Sequence, residues 1–254
     1  MIELFITDLD GCISMPFIPP KWDAITKIKE LNELSKTDPT VPPLTICTGR
    51  PMPYAEAVYQ WLGMYKPLLF ESGGGVYDMS ENKLHWHPTF DKQREKELGE
   101  LKVHLRTNFI EKYPNTIAEF AKHTDSGIIN QTPDIIYEMY PQIRDYVNSN
   151  YPNFETHYTE VSINVISKST NKGEGIKFLC DLLQLDLKNV AFIGDTGGDR
   201  PGLEIVGKAF APANGMESAK EVSDVMKGSD TDAVLEAYQK VIDYNRSIKI
   251  NNCT

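Results

Sequence analysis

The chain has 254 residues, a formal net charge of −10 and a hydrophobic fraction of 41%. This length favours two structural units, or one domain with a large insertion, and the composition is ordinary for a globular protein with a sizeable core. The acidic charge, without any basic stripe, argues against a nucleic-acid partner. No apolar run approaches the roughly 20 residues of a membrane span, and no signal-peptide pattern is present. We therefore expect a cytoplasmic protein with no membrane partner.

The cysteines support this expectation. Four of them are scattered along the chain: Cys12, Cys47, Cys180 and Cys253. Their spacing matches neither a zinc site nor a disulfide framework. Reduced thiols of this kind are typical of the cytoplasm.

The first part of the chain alternates strands with helices. We expect a buried strand around Phe5, a helix with Ile25, Ile28, Leu31 and Leu34 on one face, a strand over residues 43–47, a helix from Pro51, and a strand over residues 67–70. The last of these strands leads into Glu71-Ser72-Gly73-Gly74-Gly75. This alternation predicts a doubly wound α/β fold around a parallel sheet.

The middle of the chain differs in character. Residues 83–161 are more polar and contain all five histidines. They predict a charged helix through Leu98 and Phe109, four strands, and a helix that Pro133 begins and Pro141 should kink or split. We expect this segment to be a second, inserted α/β domain, with residues 1–82 and 162–254 forming the first.

The first domain then resumes. We expect a helix from Lys172, a strand over residues 189–193, a short strand over residues 208–211, a helix over residues 216–225, and a final helix over residues 232–244. The tail from Arg246 onward is expected to fray.

Two aspartates follow the first strand. Asp8 and Asp10 lie two positions apart, so an extended backbone points both side chains to the same side. Their carboxylates repel each other unless a cation or a proton lies between them, and a hard divalent ion such as Mg²⁺ meets this need. A solvated turn at Gly11 is the alternative.

Further polar residues follow the other strands or begin the helices beside them: Thr48, Gly49, Arg50, Lys172, Asp195 and Asp199. Each has a simpler explanation alone: a helix cap, a solvated lysine or a tight turn. Ligands of doubly wound sheets, however, bind at the carboxyl ends of the strands. Together these residues predict a metal held by carboxylates beside a phosphate held by a hydroxyl, a lysine and backbone amides.

Four segments resemble, in order and position, the motifs of the haloacid dehalogenase superfamily of phosphatases. They are Asp8-Leu9-Asp10-Gly11, Thr48-Gly49-Arg50, Asn171-Lys172-Gly173 and Gly194-Asp195-Thr196-Gly197-Gly198-Asp199. The insertion is similar to the α/β cap of the Cof-like branch, which includes sugar, archaeal phosphoglycolate, sucrose-phosphate and mannosyl-3-phosphoglycerate phosphatases. The resemblance implies a Rossmann-like core with a cap that determines substrate specificity.

The resemblance also implies roles for the residues. Asp8 is the nucleophile that takes the phosphoryl group, and Asp10 protonates the leaving alkoxide and then activates water. The implied Mg²⁺ ligands are Asp8, the Asp10 carbonyl and Asp195, with Asp199 as a ligand or a support. The implied phosphate contacts are Thr48, Lys172 and the amides of Gly49, Leu9 and Gly11. A carboxylate can attack phosphorus only if the charge between them is neutralised, which Mg²⁺ and Lys172 would do.

Some positions depart from the family or remain open. Cys12 stands where the family usually has threonine and is expected to pack as a small apolar residue. Gly198 stands where Cof-like members usually have asparagine, and Arg200 is a candidate replacement cation. Arg50 is expected to orient the substrate or to brace the motif.

The candidate substrate contacts in the cap are Lys122 and His123, in a turn between two strands. A solvated hairpin tip is the alternative there.

These observations predict a Mg²⁺-dependent phosphomonoesterase acting on a small phosphorylated sugar or organic acid through an aspartyl phosphate. A phosphomutase of the same superfamily is one alternative. A receiver-type regulatory domain that accepts a phosphoryl group is another, although it would need neither a second aspartate nor a cap.

Overall fold

The structure is a computed structural model and describes residues 1–251. The chain divides into two compact units, a core unit of Met1–His85 with the chain from Lys172 onward, and an inserted unit of Trp86–Asn171. In residues 1–251, no helix combines the length and apolar character that crossing a bilayer requires. Three cysteines, Cys12, Cys47 and Cys180, are buried with free thiols, and Cys253 lies outside the described residues.

The elements run in chain order as follows. The core unit begins with β1 (Leu4–Thr7), α1 (Trp22–Leu34), β2 (Leu44–Ile46), α2 (Met52–Trp61), β3 (Leu68–Phe70), β4 (Gly75–Asp78) and β5 (Lys83–Trp86). The insertion contains α3 (Lys92–Leu105), β6 (Ile117–Ala118), β7 (Ser126–Ile129), α4 (Pro133–Asn150), β8 (Phe154–Tyr158) and β9 (Ser162–Ser167). The core unit ends with α5 (Lys172–Leu183), β10 (Val190–Ile193), α6 (Arg200–Leu203), β11 (Lys208–Ala211), α7 (Glu217–Lys220), β12 (Asp224–Val225) and α8 (Asp230–Asn251).

A parallel sheet of order β12-β11-β10-β1-β2 forms the centre of the core unit. Alternate residues of β1 face opposite sides: Ile6 packs in the cluster that includes Ile176 of α5, whereas the ring of Phe5 stacks 4.9 Å from that of Tyr238 in α8. Helices therefore cover both faces. The predicted doubly wound parallel sheet is confirmed.

The inserted unit has an antiparallel sheet of order β6-β7-β9-β8. Apolar residues of α3 and α4, among them Leu101 and Ile143, pack with Ile128 and Ile163 of this sheet. The unit extends beyond residue 161, where the sequence analysis ended it, because β9 pairs with both β7 and β8.

Of the two outcomes expected at Pro141, a kink or a split, the split is wrong. Helix α4 runs through this proline as one element from Pro133 to Asn150. Ile136, Met139, Ile143 and Val147 are buried along one of its faces. Tertiary packing supplies most of the stability of a helix in a folded protein, and here it outweighs the hydrogen bond that the proline removes.

Two predictions about the end of the chain are also wrong. The helix expected over residues 216–225 ends at Lys220, because Asp224 and Val225 pair with β11 at the sheet edge. The tail expected to fray from Arg246 continues as helix α8 to Asn251. The last three residues of that tail lie outside the described part of the chain.

A buried asparagine stabilises this last helix. The Asn245 amide donates to the Ile2 and Thr40 carbonyls at 2.8 and 3.0 Å, and its oxygen accepts from the Ile2 amide at 2.8 Å. The side chain is fully buried. These bonds fix α8 to the start of the chain, a contact that the local sequence around Arg246 does not reveal.

We therefore predict that Asn245→Ala lowers the free energy of unfolding by about 3 kcal/mol, because three buried backbone groups lose their partner. Urea denaturation followed by circular dichroism measures the change. The exposed Asn150→Ala should shift stability by less than about 0.5 kcal/mol. An equal effect of the two substitutions would contradict the assigned role of Asn245.

Candidate active site

The candidate site lies at the carboxyl ends of the central strands. Thr7, the last residue of β1, pairs with Ile193 and Ile46, the last residues of β10 and β2. The segments that follow these strands therefore begin at the same edge. This register brings together three of the four motifs, and Lys172 joins them as the first residue of α5.

The ammonium of Lys172 forms the centre of the site. It lies 2.9 Å from Oδ1 of Asp8 and 2.5 Å from Oδ1 of Asp199, and all three side chains are buried. Burial lowers the pKa of Lys172, but the charges of Asp199 and Asp8 outweigh it and hold that pKa well above its usual value. The lysine is therefore charged and paired with two carboxylates.

The carboxylates around this lysine are destabilised as anions. Burial raises the pKa of Asp8 to about 7. The charge of Lys172 opposes this rise, and the charges of Asp199 and Asp10 add to it. Burial and the charges of Asp199 and Asp8 raise the pKa of Asp195 to about 9. One ammonium does not neutralise the negative charge that these groups carry when ionised.

A divalent metal fits this excess of negative charge. Asp8, Asp195 and Asp199 each place one carboxylate oxygen so that all three oxygens lie within 4.8 Å of one another. Oδ1 of Asp195 is buried, and within residues 1–251 it has no hydrogen-bond partner. Buried carboxylate oxygens without donors are the ligands that hard divalent cations prefer.

Asp199 mainly supports the site. Its Oδ2 accepts hydrogen bonds from the amides of Asp195 and Thr196, at 3.1 and 2.9 Å, and from the Thr196 hydroxyl at 2.9 Å. Its Oδ1 accepts from Lys172. Of the two predicted roles, ligand or support, these bonds favour support, because both oxygens already have donors.

Asp10 lies apart from the carboxylate cluster and has its own cation. Nε of Arg50 donates to Oδ2 of Asp10 at 2.6 Å, and Nη2 donates to Oδ1 at 2.8 Å. The guanidinium also lies 5.1 Å from the ring centroid of Tyr54. Arg50 thus braces the first motif, one of its two predicted roles, through a bidentate pair that holds the carboxylate in one orientation.

The second motif contributes a buried hydroxyl. Thr48 is fully buried, and its Oγ1 accepts a hydrogen bond from the amide of Arg50 at 3.1 Å. Gly49 follows at the strand end, where a phosphate could approach its backbone.

The predicted phosphate contact at Gly11 uses an amide that already has a partner in the chain. The amide of Gly11 donates to the carbonyl of Ser14 at 2.7 Å, so it is already used within the loop. Gly11 is required for another reason. Its φ is +78°, and a Cβ there would lie 2.0 Å from Oδ2 of Asp195. Only glycine lets the Asp195 carboxylate approach the first motif this closely.

Three further positions concern the departures from the family pattern. Cys12 is buried, and burial with the charges of Asp195 and Asp8 raises the pKa of its thiol well above the usual value, as for a neutral packed side chain. Arg200 is not a replacement cation, because it donates to Glu204 and Glu221 at 2.8 and 2.9 Å. A Cβ at Gly198 would meet only Thr196 Oγ1, at 3.5 Å, and nothing in the structure explains the glycine.

The two candidate substrate residues of the inserted unit differ in burial, because the Lys122 side chain is packed inside the unit whereas His123 is exposed. The Lys122 ammonium is buried and lies 3.1 Å from Oε2 of Glu119 and 3.0 Å from Oδ1 of Asp125. The ring of His123 lies 4.3 Å from that of Trp86. A solvated hairpin tip is therefore the wrong description of Lys122, because the ion pairs compensate the burial of its charge.

One residue of the site was missed by sequence reasoning. The amide of Asn214 donates to the carbonyl of Gly11 at 3.0 Å, and its oxygen accepts from the amide of Asp230 at 2.9 Å. It thereby ties the first motif to the segment after β11. The residue lies next to a glycine and reads locally as part of a turn, so no local signal reveals this long-range contact.

Comparison with known proteins agrees with this geometry. A profile of the haloacid dehalogenase-like hydrolases matches residues 91–237. The chain belongs to the haloacid dehalogenase-like hydrolase family, and the predicted relationship to this superfamily is confirmed.

Particular relatives extend the comparison. A phosphoglycolate phosphatase of Methanopyrus kandleri is 27% identical over 230 residues, 89% of this chain and 90% of its own. A haloacid dehalogenase-like hydrolase from Bacteroides thetaiotaomicron has a TM-score of 0.73 at 14% identity, over 95% of this chain and all of its own. The sucrose-phosphatase of Synechocystis, solved with sucrose and phosphate, has a TM-score of 0.65 at 15% identity, over 95% and 98%. These two structures share the fold.

The raised carboxyl pKa values predict how stability depends on pH. Asp8 and Asp195 bind protons more tightly in the folded chain than at their ordinary value of 3.8. Their contribution to stability is therefore fully present below about pH 4 and is lost as the pH rises through about 7 and about 9. In chelator, we expect Tm to fall by several degrees between pH 5 and pH 9.

Differential scanning calorimetry measures this dependence. Asp195→Asn, which cannot ionise, serves as the matched control and should show a smaller fall between pH 7 and pH 9. A Tm difference between the two proteins that stays constant over this interval would contradict the assignment.

Proposed function

We propose that the protein is a Mg²⁺-dependent phosphomonoesterase that hydrolyses a small phosphorylated organic acid or sugar through a phosphorylated Asp8. The observation that carries the proposal is the buried Lys172 ammonium, held between Asp8 and Asp199 beside the Asp195 carboxylate. Membership of a hydrolase family supports hydrolysis as the reaction class. The Methanopyrus kandleri relative, named a phosphoglycolate phosphatase, supports a small phosphorylated acid as the substrate class.

The first step forms a bond between an Asp8 oxygen and phosphorus as the ester P–O bond breaks. The electron pair of that bond goes to the leaving oxygen, which takes a proton from Asp10. Lys172 offsets the repulsion between the Asp8 carboxylate and the phosphate, which would otherwise prevent attack. In this proposal, Thr48 and the Gly49 amide hold the phosphoryl oxygens.

The second step regenerates the enzyme. Asp10, now a carboxylate, takes a proton from water, and the resulting oxygen attacks the phosphorus of the Asp8 phosphate. Inorganic phosphate leaves, and the Asp8 carboxylate is restored. Arg50 keeps the Asp10 carboxylate in one orientation for this proton transfer, which matters because proton transfer requires hydrogen-bond distance.

Asp8, Asp195 and the Asp10 carbonyl are the groups that would hold Mg²⁺, while Asp199 positions Lys172 and the Asp195 loop. When bound, the ion supplies charge neutralisation for the phosphoryl oxygens. The orphan Oδ1 of Asp195 supports this assignment. We also propose a cytoplasmic location, on the basis of the reduced thiols that the sequence predicts.

Two alternatives give different outcomes in one experiment. A phosphomutase would transfer the phosphoryl group and release little inorganic phosphate. A receiver-type domain would accept a phosphoryl group from acetyl phosphate and keep it on Asp8. Phosphate release from a panel of esters that includes 2-phosphoglycolate, with and without Mg²⁺, separates the three.

We expect the wild-type protein to release phosphate only with Mg²⁺, and Asp8→Asn to reduce the rate by about 1,000-fold or more, because an amide is not a nucleophile here. Asp10→Asn should slow turnover while Mg²⁺ binding survives. The exposed Asp23→Asn should retain full activity. Turnover retained in Asp8→Asn would show that the nucleophile is misassigned.

We further expect Arg50→Lys to lower kcat by about 10- to 100-fold, because an ammonium cannot replace the bidentate guanidinium that orients Asp10. Inhibition by inorganic phosphate should change little. Arg200→Lys, which alters an arginine on surface glutamates, is the matched control and should keep kcat. A normal kcat in Arg50→Lys would refute the bracing role.

A further inference from the structure

The turn after β3 has an unusual backbone. Glu71, Ser72 and Gly73 have φ values of +48°, +55° and +92°. A left-handed conformation is unfavourable for a residue with a Cβ, and it persists only where the surroundings hold it. The turn lies at the same sheet edge as the active site, because Cys47, the residue after β2, pairs in parallel with Leu69 of β3.

The surroundings hold this turn from two sides. On one side the amides of Glu71 and Ser72 donate to the carbonyls of Arg50 and Thr48, at 3.1 and 2.9 Å. On the other side the Cα of Gly73 lies 2.4 Å from the position that a Cβ of Gly175 would take. The turn is thus packed between the second motif and the first turn of α5, the helix that begins with Lys172.

The side chain of Ser72 faces the second motif. Its Oγ lies 3.3 Å from the position that a Cβ of Gly49 would take, and the side chain is half-buried. Within residues 1–251 this hydroxyl has no hydrogen-bond partner in the chain, so its donor is available to a ligand. The Ser72 hydroxyl and the backbone of Gly49 are therefore neighbours.

The sequence at this turn carries a second argument. The three residues after Ser72 are glycines, which adopt left-handed backbone without strain. Ser72 adopts a strained left-handed backbone, and a glycine at the same position would remove that strain. Strained residues of this kind concentrate at ligand-binding positions, where the side chain compensates for the strain.

We infer that Ser72 is a phosphate-binding residue, whose hydroxyl donates a hydrogen bond to a phosphoryl oxygen of the substrate and of the product phosphate. This inference rests on the proposed phosphatase function and adds a contact from β3 to those from Thr48, Gly49 and Lys172. A phosphate oxygen is a strong, charged acceptor, and a half-buried serine hydroxyl is a suitable donor for it.

Two substitutions separate the hydroxyl from the backbone. Ser72→Gly removes the hydroxyl and relieves the left-handed strain, whereas Ser72→Ala removes the hydroxyl and keeps the strain. We expect both to raise the inhibition constant for inorganic phosphate and the KM by about 10-fold or more, with kcat changed by less than about threefold. Calorimetric titration with inorganic phosphate, in the presence of Mg²⁺, provides a readout independent of turnover.

Gln184→Gly is the matched control, because Gln184 is also left-handed, at φ +56°, but lies exposed beyond the far end of α5. It should leave phosphate affinity unchanged.

Unchanged phosphate affinity in both Ser72 variants would overturn the inference. Weaker phosphate binding in Ser72→Ala but not in Ser72→Gly would also overturn it, since both variants lack the hydroxyl and the backbone would then be responsible. If the wild-type protein itself neither hydrolyses esters nor binds phosphate, the proposed function fails. Wild-type turnover with unaffected variants removes only the role of Ser72.

Discussion

The arrangement of the core unit around its site depends on one buried ammonium. Lys172 lies between Asp8 and Asp199, which come from segments far apart in the chain and would repel each other without it. A buried charge is tolerated only when it is paired, and removal of one partner leaves the others uncompensated. The lysine therefore links the end of β1, the start of α5 and the loop after β10 in one electrostatic unit.

The two acids of the first motif are separated by their counterions rather than by distance along the chain. Asp8 faces the buried lysine and the carboxylates of Asp195 and Asp199, while Asp10 faces a partly buried arginine from the second motif. Each cation fixes one carboxylate in a different environment. This difference in environment supports the proposal that two identical side chains, two residues apart, act as a nucleophile and as a proton carrier, since the environment of an acid determines its chemistry.

Much of the fold and of the site could be predicted because the topology is simple. Buried parallel strands read as apolar runs, and the polar residues that follow them meet at one edge whatever the details of the helices. This is why Asp8, Thr48, Lys172 and Asp195 were found from sequence alone. The features that were missed depend on long-range contacts. Asn245 reaches Ile2 across 243 positions, and no local pattern around it contains that information.

The same limit applies to the charged residues. The sequence places Lys122 in a polar turn, but only the folded unit shows that Glu119 and Asp125 surround its ammonium. The Gly11 amide looked available because a glycine after two acids suggests an anion cradle, whereas the loop uses that amide to close on Ser14. Composition indicates which groups can bind; it does not indicate which are already bound within the chain.

The position of β1 between β2 and β10 has a consequence for how the protein is made. The strand that carries Asp8 is synthesised first, yet the neighbour on one side emerges only after the whole inserted unit. On the ribosome, β1 and β2 must wait with one edge unpaired while the insertion, whose contacts are local to its own segment, can already fold. The core unit therefore keeps one edge of β1 unpaired until β10 has been synthesised.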